Sequence, residues 1–225
     1  MSEGEQEVSD KPPGPRSRKG MVTRAKLVDA AKQIFEEDGF LNARISDIAE
    51  RAGLSHGSFY TYFESKEEIF REVASKVEER LGAPLGDVIL APGHATPPEE
   101  RIRVAIRRHL ESYREEARIM GVIEQVSRYD PRLSTARLQQ HERFGKLVAD
   151  SIRQLQQRGL ADPRLDPTIA GAVLGSMTNR FPEMWLTEGR VDCSFEEGVE
   201  HLTMIFMNAL RLASPTGAGE PVRGD

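Results

Sequence analysis

The chain has 225 residues and a formal net charge of −5, with 38% hydrophobic and 30% charged residues. That length suits one large domain or two small ones, and the acidic balance excludes a uniformly basic nucleic-acid coat while leaving room for a local basic site. The single cysteine, Cys193, excludes an intrachain disulfide and fits a reducing compartment. With no secretory signal and no apolar run near the roughly 18–20 residues of a spanning helix, the expected setting is the cytoplasm.

Residues 1–20 are polar, with Pro and Gly, and predict a disordered arm. Leu27, Ala30, Ala31, Ile34 and Phe35 repeat with helical spacing, and Gly39 is placed to stop that helix. Two short apolar segments follow, around 45–52 and 55–63. Ser65 and Glu68 form a capping-box pattern that starts a helix at Lys66, expected to run to about Leu81. Residues 82–97 read as a linker rich in Gly, Pro and Ala. Thr96 is the expected cap of the next helix, and Asp130-Pro131, Asp166-Pro167 and Ser194–Glu197 mark further helix starts. Residues 214–225 read as a loose tail. No window alternates with period two, so the expected fold is all-α with about nine helices. The expected division is 1–20 arm, 21–66 first domain, 67–213 second domain and 214–225 tail.

Ile45, Ile48, Ala49 and Ala52 place an apolar face on one short helix; Gly53 ends it and Ser55 caps a second, whose inward residues are Phe59 and Phe63. Two short helices joined by a tight Gly-containing turn make a helix-turn-helix. The other face of the second helix carries His56, Ser58, Tyr60 and Thr61, side chains suited to a DNA groove. Gly57 leaves backbone N–H groups open to a phosphate near the helix N-terminus. Lys66 adds an expected phosphate contact. The charge distribution agrees: residues 11–66 carry a net +3, against −4 on each flank.

The segment ISDIAERAGLSHGSFYTYFESKEEIF, with Leu27–Phe35 and Gly39-Phe40 before it, resembles the DNA-binding domain of the TetR family of bacterial transcriptional regulators. The resemblance covers about residues 22–70. It implies a three-helix DNA-binding domain, a larger helical ligand domain, a homodimer and repression relieved by a small molecule. It points to Ser55, Tyr62 and Lys66 as phosphate contacts and to His56, Ser58, Tyr60 and Thr61 as groove or base contacts. In one departure, Arg44 stands where the family has a capping Thr; Arg44 is a further phosphate candidate.

In the second domain, AGAVLGSMTNRFPEMWLTEG and the 118–129 segment resemble the mycobacterial ethionamide-resistance repressor, whose tunnel accepts long apolar ligands. The expected effector is apolar or amphipathic. Candidate ligand contacts are Met120, Ile123, Glu124, Met177, Thr178, Asn179, Phe181, Met184 and Trp185. Pro182 is expected to kink or end its helix. The segments 167–186 and 194–212 are the expected dimer interface, with Ala170, Gly171, Ala172, Gly175 and Ser176 permitting close helix approach.

Enzyme readings find little support. There is no Glu-x-x-His pattern, no P-loop, and the five histidines (His56, His94, His109, His141, His201) are scattered, so neither metal nor cofactor is expected. The alternative to a ligand-relieved repressor is a helical small-molecule-binding protein or an activator.

Overall fold

A computed structural model describes residues 17–89 and 96–212. Most of the expected arm, the whole tail and the middle of the expected linker lie outside the described residues. The described residues form eight α-helices and one π-helical turn, with no strand. None of these helices is long and apolar enough to cross a membrane. The chain divides into two units between Val73 and Ala74.

The first unit holds α1 (Arg18–Asn42), α2 (Ile45–Arg51), α3 (His56–Phe59) and the start of α4 (Lys66–Ile89). Residues 18–20 are helical rather than part of a disordered arm, because Ser17 accepts a hydrogen bond from the Gly20 N–H and caps α1. Gly39 breaks the regular helix as expected. Its φ of 72° lies in the left-handed region that favours glycine. The break brings Phe40 back onto Phe70 and Phe35, with ring centroids 4.9 and 5.8 Å apart. Leu27, Ile48, Phe59, Phe63 and Ile69 complete a fully buried core.

The carbonyls at the end of α1 have no helical donors ahead of them. Lys66 answers three of them: its ammonium donates to Phe40, Leu41 and Ala43 at 2.7, 3.2 and 2.9 Å, and stands 4.7 Å from the Phe40 ring centroid. These contacts give Lys66 a structural role besides the expected phosphate contact. All three N–H donors are spent inside the unit, so the side chain clamps α4 to the end of α1, and a phosphate would have to displace one of these carbonyls.

Helix α4 also runs further than expected, to Ile89 instead of ending near Leu81. Pro84 lies inside it. Proline forfeits one hydrogen bond, yet its fixed φ is compatible with a helix, so the chain turns on through it.

The second unit contains α5 (Pro98–Ser127), α6 (Pro131–Gln157), α7 (Pro167–Pro182), the π-helical turn Glu183–Thr187 and α8 (Phe195–Leu210). Asp130 and Asp166 cap α6 and α7 as their sequence pattern indicates, and Ser194 with Glu197 closes a full capping box on α8. Helix α5 is capped differently: Pro97 takes the cap position in place of Thr96, with no side-chain hydrogen bond.

Small residues set the closest helix crossing, between α6 and α7. A Cβ on Gly171 would lie 2.5 Å from the Gly145 carbonyl oxygen and 2.8 Å from Ala149 Cβ; one on Gly175 would lie 3.3 Å from Gly145 Cα. Gly171 and Gly175 therefore serve a contact inside one subunit, while Ala172 and Ser176 remain exposed. Around this crossing Ile106, Leu110, Val148, Ile152, Leu174, Leu202 and Phe206 form one apolar core.

Two substitutions test these contacts by urea denaturation. Gly171→Ala is expected to lose about 1–3 kcal/mol to overpacking, and Gly175→Ala less, because its obstacle is farther away. Lys66→Ala is expected to lose about 2–3 kcal/mol from the charged hydrogen bonds it removes. An unchanged midpoint for Lys66→Ala would show that the clamp carries no stability.

Candidate DNA-contact surface and ligand cavity

The helix-turn-helix forms from α2 and α3. Gly53, with φ of 71°, makes the turn, and Leu54 N–H donates to the Ala49 carbonyl at 2.9 Å. Ala49 is buried to 1% exposure where the two helices meet, and Phe59 and Phe63 anchor the recognition segment from beneath. Regular helix in α3 covers only His56–Phe59, continued by turns through Tyr62.

The outer surface carries most of the expected DNA contacts. His56, Gly57, Tyr60 and Thr61 are exposed, and a side chain on Gly57 would meet open space. The His56 and Tyr60 rings meet edge to face at 5.4 Å, presenting one aromatic ledge. Ser58 and Tyr62 are half-buried. Ser55 caps α3, accepting from the Ser58 N–H at 3.3 Å, and its hydroxyl pairs with the Ser58 hydroxyl at 2.7 Å. These two hydroxyls thus shape the helix start as well as facing outward. Arg44 occupies the N-cap position of α2, makes no capping hydrogen bond there and is exposed.

In the second unit a cavity of about 260 Å³ is lined by residues of α4, α5, α6, α7 and the π-helical turn. Of the nine expected ligand contacts, Met120 and Asn179 line it. The other seven do not, for separate reasons. Ile123 is fully buried in the packed face of α5. Glu124 is held in an ion pair with Arg137 at 2.5 Å. Thr178 is fully buried, its hydroxyl donating to the Leu174 carbonyl at 2.8 Å. Met177 and Phe181 pack against the core, and Trp185 belongs to it, lying where a Cβ on Gly198 would strike its ring at 2.7 Å. Met184 is half-buried in the π-helical turn.

Apart from Asn179, the polar part of the wall is not among the expected contacts. Glu78 and Arg137 face each other there at 3.2 Å, with both side chains nearly buried. Burial pushes the Glu78 carboxyl above the usual carboxylate range, against the pull of Arg137. Tyr113, also in the wall, has its phenol pushed up to about 12 by burial. Arg180 pairs with Glu183 and with Glu188, both at 2.8 Å. No periodic pattern marks these residues; only the crossing of five segments brings them together.

His109 lies at the back of the cavity, fully enclosed. Its Nδ1 is 3.1 Å from the Leu81 carbonyl of α4 and its Nε2 is 3.2 Å from the Thr178 carbonyl of α7. Pro182, four residues after Thr178, has no N–H to give that carbonyl, so the ring supplies the missing donor. A neutral imidazole has one N–H, which fixes it on Nε2 and leaves Nδ1 without a proton toward Leu81.

Burial holds the His109 ring below the usual histidine value, while the two carbonyls pull the other way. In the unfolded chain the ring takes up a proton near pH 6.5. Folding stability from this residue is therefore full above about pH 6.5 and falls as the pH drops toward the lower value of the folded ring. Thermal unfolding of the wild type and His109→Gln between pH 8 and 5 checks this. The wild type is expected to lose stability more steeply below pH 6.5, and equal slopes would remove His109 as the cause.

Two family descriptions match this chain: "Bacterial regulatory proteins, tetR family" over residues 27–73, and "Tetracyclin repressor-like, C-terminal domain" over residues 95–210. The chain is 25% identical over 156 residues to the HTH-type transcriptional regulator UidR of Escherichia coli K12, covering 69% of this chain and 78% of that protein. It is 41% identical over 63 residues to the HTH-type regulator YdgC of Bacillus subtilis, a match spanning 28% of this chain and about a third (32%) of that protein. Among solved structures, a TetR-family transcriptional regulator of Mesorhizobium loti aligns with TM-score 0.68 at 22% identity, over 87% of this chain and 98% of that one. The fatty acid degradation regulator FadR of Bacillus halodurans aligns with TM-score 0.67 at 20% identity, over 90% of this chain and all (100%) of that one. The second description alone spans more than half of the sequence, and the first falls on the helix-turn-helix: the chain belongs to the TetR family of helix-turn-helix transcriptional regulators.

Proposed function

We propose that this regulator is a repressor that binds a pseudo-palindromic operator as a homodimer and is released when a small molecule occupies the cavity of the second unit. The observation that carries the reading is helix α4. It begins at the Lys66 clamp beneath the helix-turn-helix, and its later residues Glu78 and Leu81 line the cavity. A ligand that favours one position of α4 would bias the recognition segment. It does so only by as much as its affinity differs between the two states.

Base and groove contacts fall to His56, Ser58, Tyr60 and Thr61. Phosphate contacts fall to Arg44, Ser55, Tyr62 and the Gly57 backbone. The dimer reading draws support from large apolar side chains left in solvent on the last two helices: Ile169 and Val173 on α7 are 67% and 61% exposed, Met204 and Ile205 on α8 45% and 48%. Exposed apolar clusters of this kind mark association surfaces. Two recognition segments related by a two-fold axis would meet successive major grooves about one helical turn apart.

The test is selection of genomic fragments by the full-length chain, followed by mobility-shift titrations at several salt concentrations. Affinity is expected to fall steeply with salt. Arg44→Ala and Tyr62→Phe should weaken all sequences alike, whereas His56→Ala and Thr61→Ala should change base preference. Ile169→Asp with Val173→Asp should sediment as a monomer and lose operator binding. A chain that selects no DNA sequence is a small-molecule-binding protein instead, and one whose loss lowers expression of its target genes is an activator.

A further inference from the structure

The cavity wall carries equal numbers of opposite charges. Glu78 and Glu183 line it, and so do Arg137 and Arg180. Neither guanidinium is free for an anion. Arg137 is engaged by Glu124 and Glu78, and Arg180 by Glu183 and Glu188. Arg128 beside Glu124 at 3.7 Å and Arg190 beside Glu188 at 2.7 Å bring the four carboxylates against four guanidiniums, so a cation finds no spare negative charge. An organic ion entering this site would lose its hydration and gain no net opposite charge.

Three buried polar atoms in the wall lack a complement. Asn179 Nδ2 has no acceptor. Glu78 Oε1 and Arg137 Nε stand 3.2 Å apart, yet neither makes an aligned hydrogen bond. Buried polar groups left in this way call for a partner. Together they want an acceptor, for Asn179 and Arg137, beside a donor, for Glu78. The remaining wall is apolar, with Met120 and Phe144 among it. A long acyl chain would cover the charged groups and return no hydrogen bonds. A volume of about 260 Å³ suits a small ring instead.

We propose that the cavity takes a compact, uncharged molecule in which a hydrogen-bond acceptor and donor sit side by side on an apolar ring, a carboxamide on a ring being the simplest case. This rests on reading the cavity as the effector site and narrows the effector from "apolar or amphipathic" to the polar, uncharged end of that range.

Four probes of known charge and shape test it on the full-length protein: benzamide, benzoate, benzamidine and dodecanoate. Binding is read as a thermal shift and as movement of the Met120 methyl resonance. Benzamide near ten times its dissociation constant is expected to raise the melting temperature by about 3–6 °C and to move the Met120 signal. The other three should do neither at the same concentration. Asn179→Leu, which removes the unpaired donor, should weaken benzamide at least about tenfold, the cost of one buried hydrogen bond. The proposal is overturned if benzoate, benzamidine or dodecanoate moves Met120 as far as benzamide does, if benzamide moves nothing, or if Asn179→Leu binds it like the wild type. Operator binding in the same samples separates this from the regulatory reading. Benzamide that occupies the cavity and leaves the operator bound upholds the ligand chemistry and sinks the effector role. Dodecanoate that moves Met120 and frees the operator does the reverse.

Discussion

Both units of this protein are organised around backbone carbonyls that their own helices leave unpaired. A buried carbonyl without a donor costs about as much as a lost hydrogen bond, so the fold has to bring one from elsewhere. In the first unit Gly39 breaks α1 and the final carbonyls of that helix are answered by Lys66. In the second, Pro182 ends α7 and the Thr178 carbonyl is answered by His109. The donor arrives from 23–26 residues downstream in one case and 69 residues upstream in the other. In each case a residue that stops a helix determines where a distant side chain must sit.

That long reach explains what was legible in the sequence. Apart from the caps of α1 and α5 and the far end of α4, features whose cause lies within four residues were legible: the apolar stripe of α1, the stop at Gly39, the caps at Asp130, Asp166 and Ser194, and the helix-turn-helix around Gly53. Features whose cause is a distant partner were not. Lys66 reads as a free cation at a helix start, the usual place to expect a phosphate contact, until the end of α1 is seen to lie on it. His109 reads as one of five scattered histidines. Glu78 and Arg137 are separated by 59 positions and share no motif.

Most of the expected ligand contacts on α7, Asn179 excepted, lie away from this cavity for a related reason. Its sequence is apolar or small on nearly every face, so periodicity does not say which face meets the cavity. The answer comes from the α6 crossing, where Gly145, Gly171 and Gly175 let two backbones approach. That contact turns Asn179 toward the cavity and buries Thr178, Leu174 and Gly171. The π-helical turn after Pro182 then adds a residue to the period, so positions 183–187 fall out of phase with the helix before them. Trp185 accordingly packs into the core against Gly198, and Glu183 reaches the cavity wall.

The Thr178 contact also constrains how α4 can be held. His109 has two carbonyls in reach and, when neutral, one proton to offer. The carbonyl orphaned by Pro182 has the stronger claim, because the Leu81 carbonyl lies within a continuing helix that supplies its own donors. Nδ1 then faces the Leu81 carbonyl across 3.1 Å with no proton between them, and the polar contact between α4 and α5 at this point is the neighbouring Arg80–Glu116 ion pair. At its other end the same helix is tied by three charge-assisted hydrogen bonds. Where it borders the cavity the helix is held as well, by the Glu78–Arg137 and Arg80–Glu116 ion pairs. On the reading proposed above, a small ligand acts on α4 through Glu78, the charged α4 side chain in the cavity wall, by sharing or replacing its contact with Arg137.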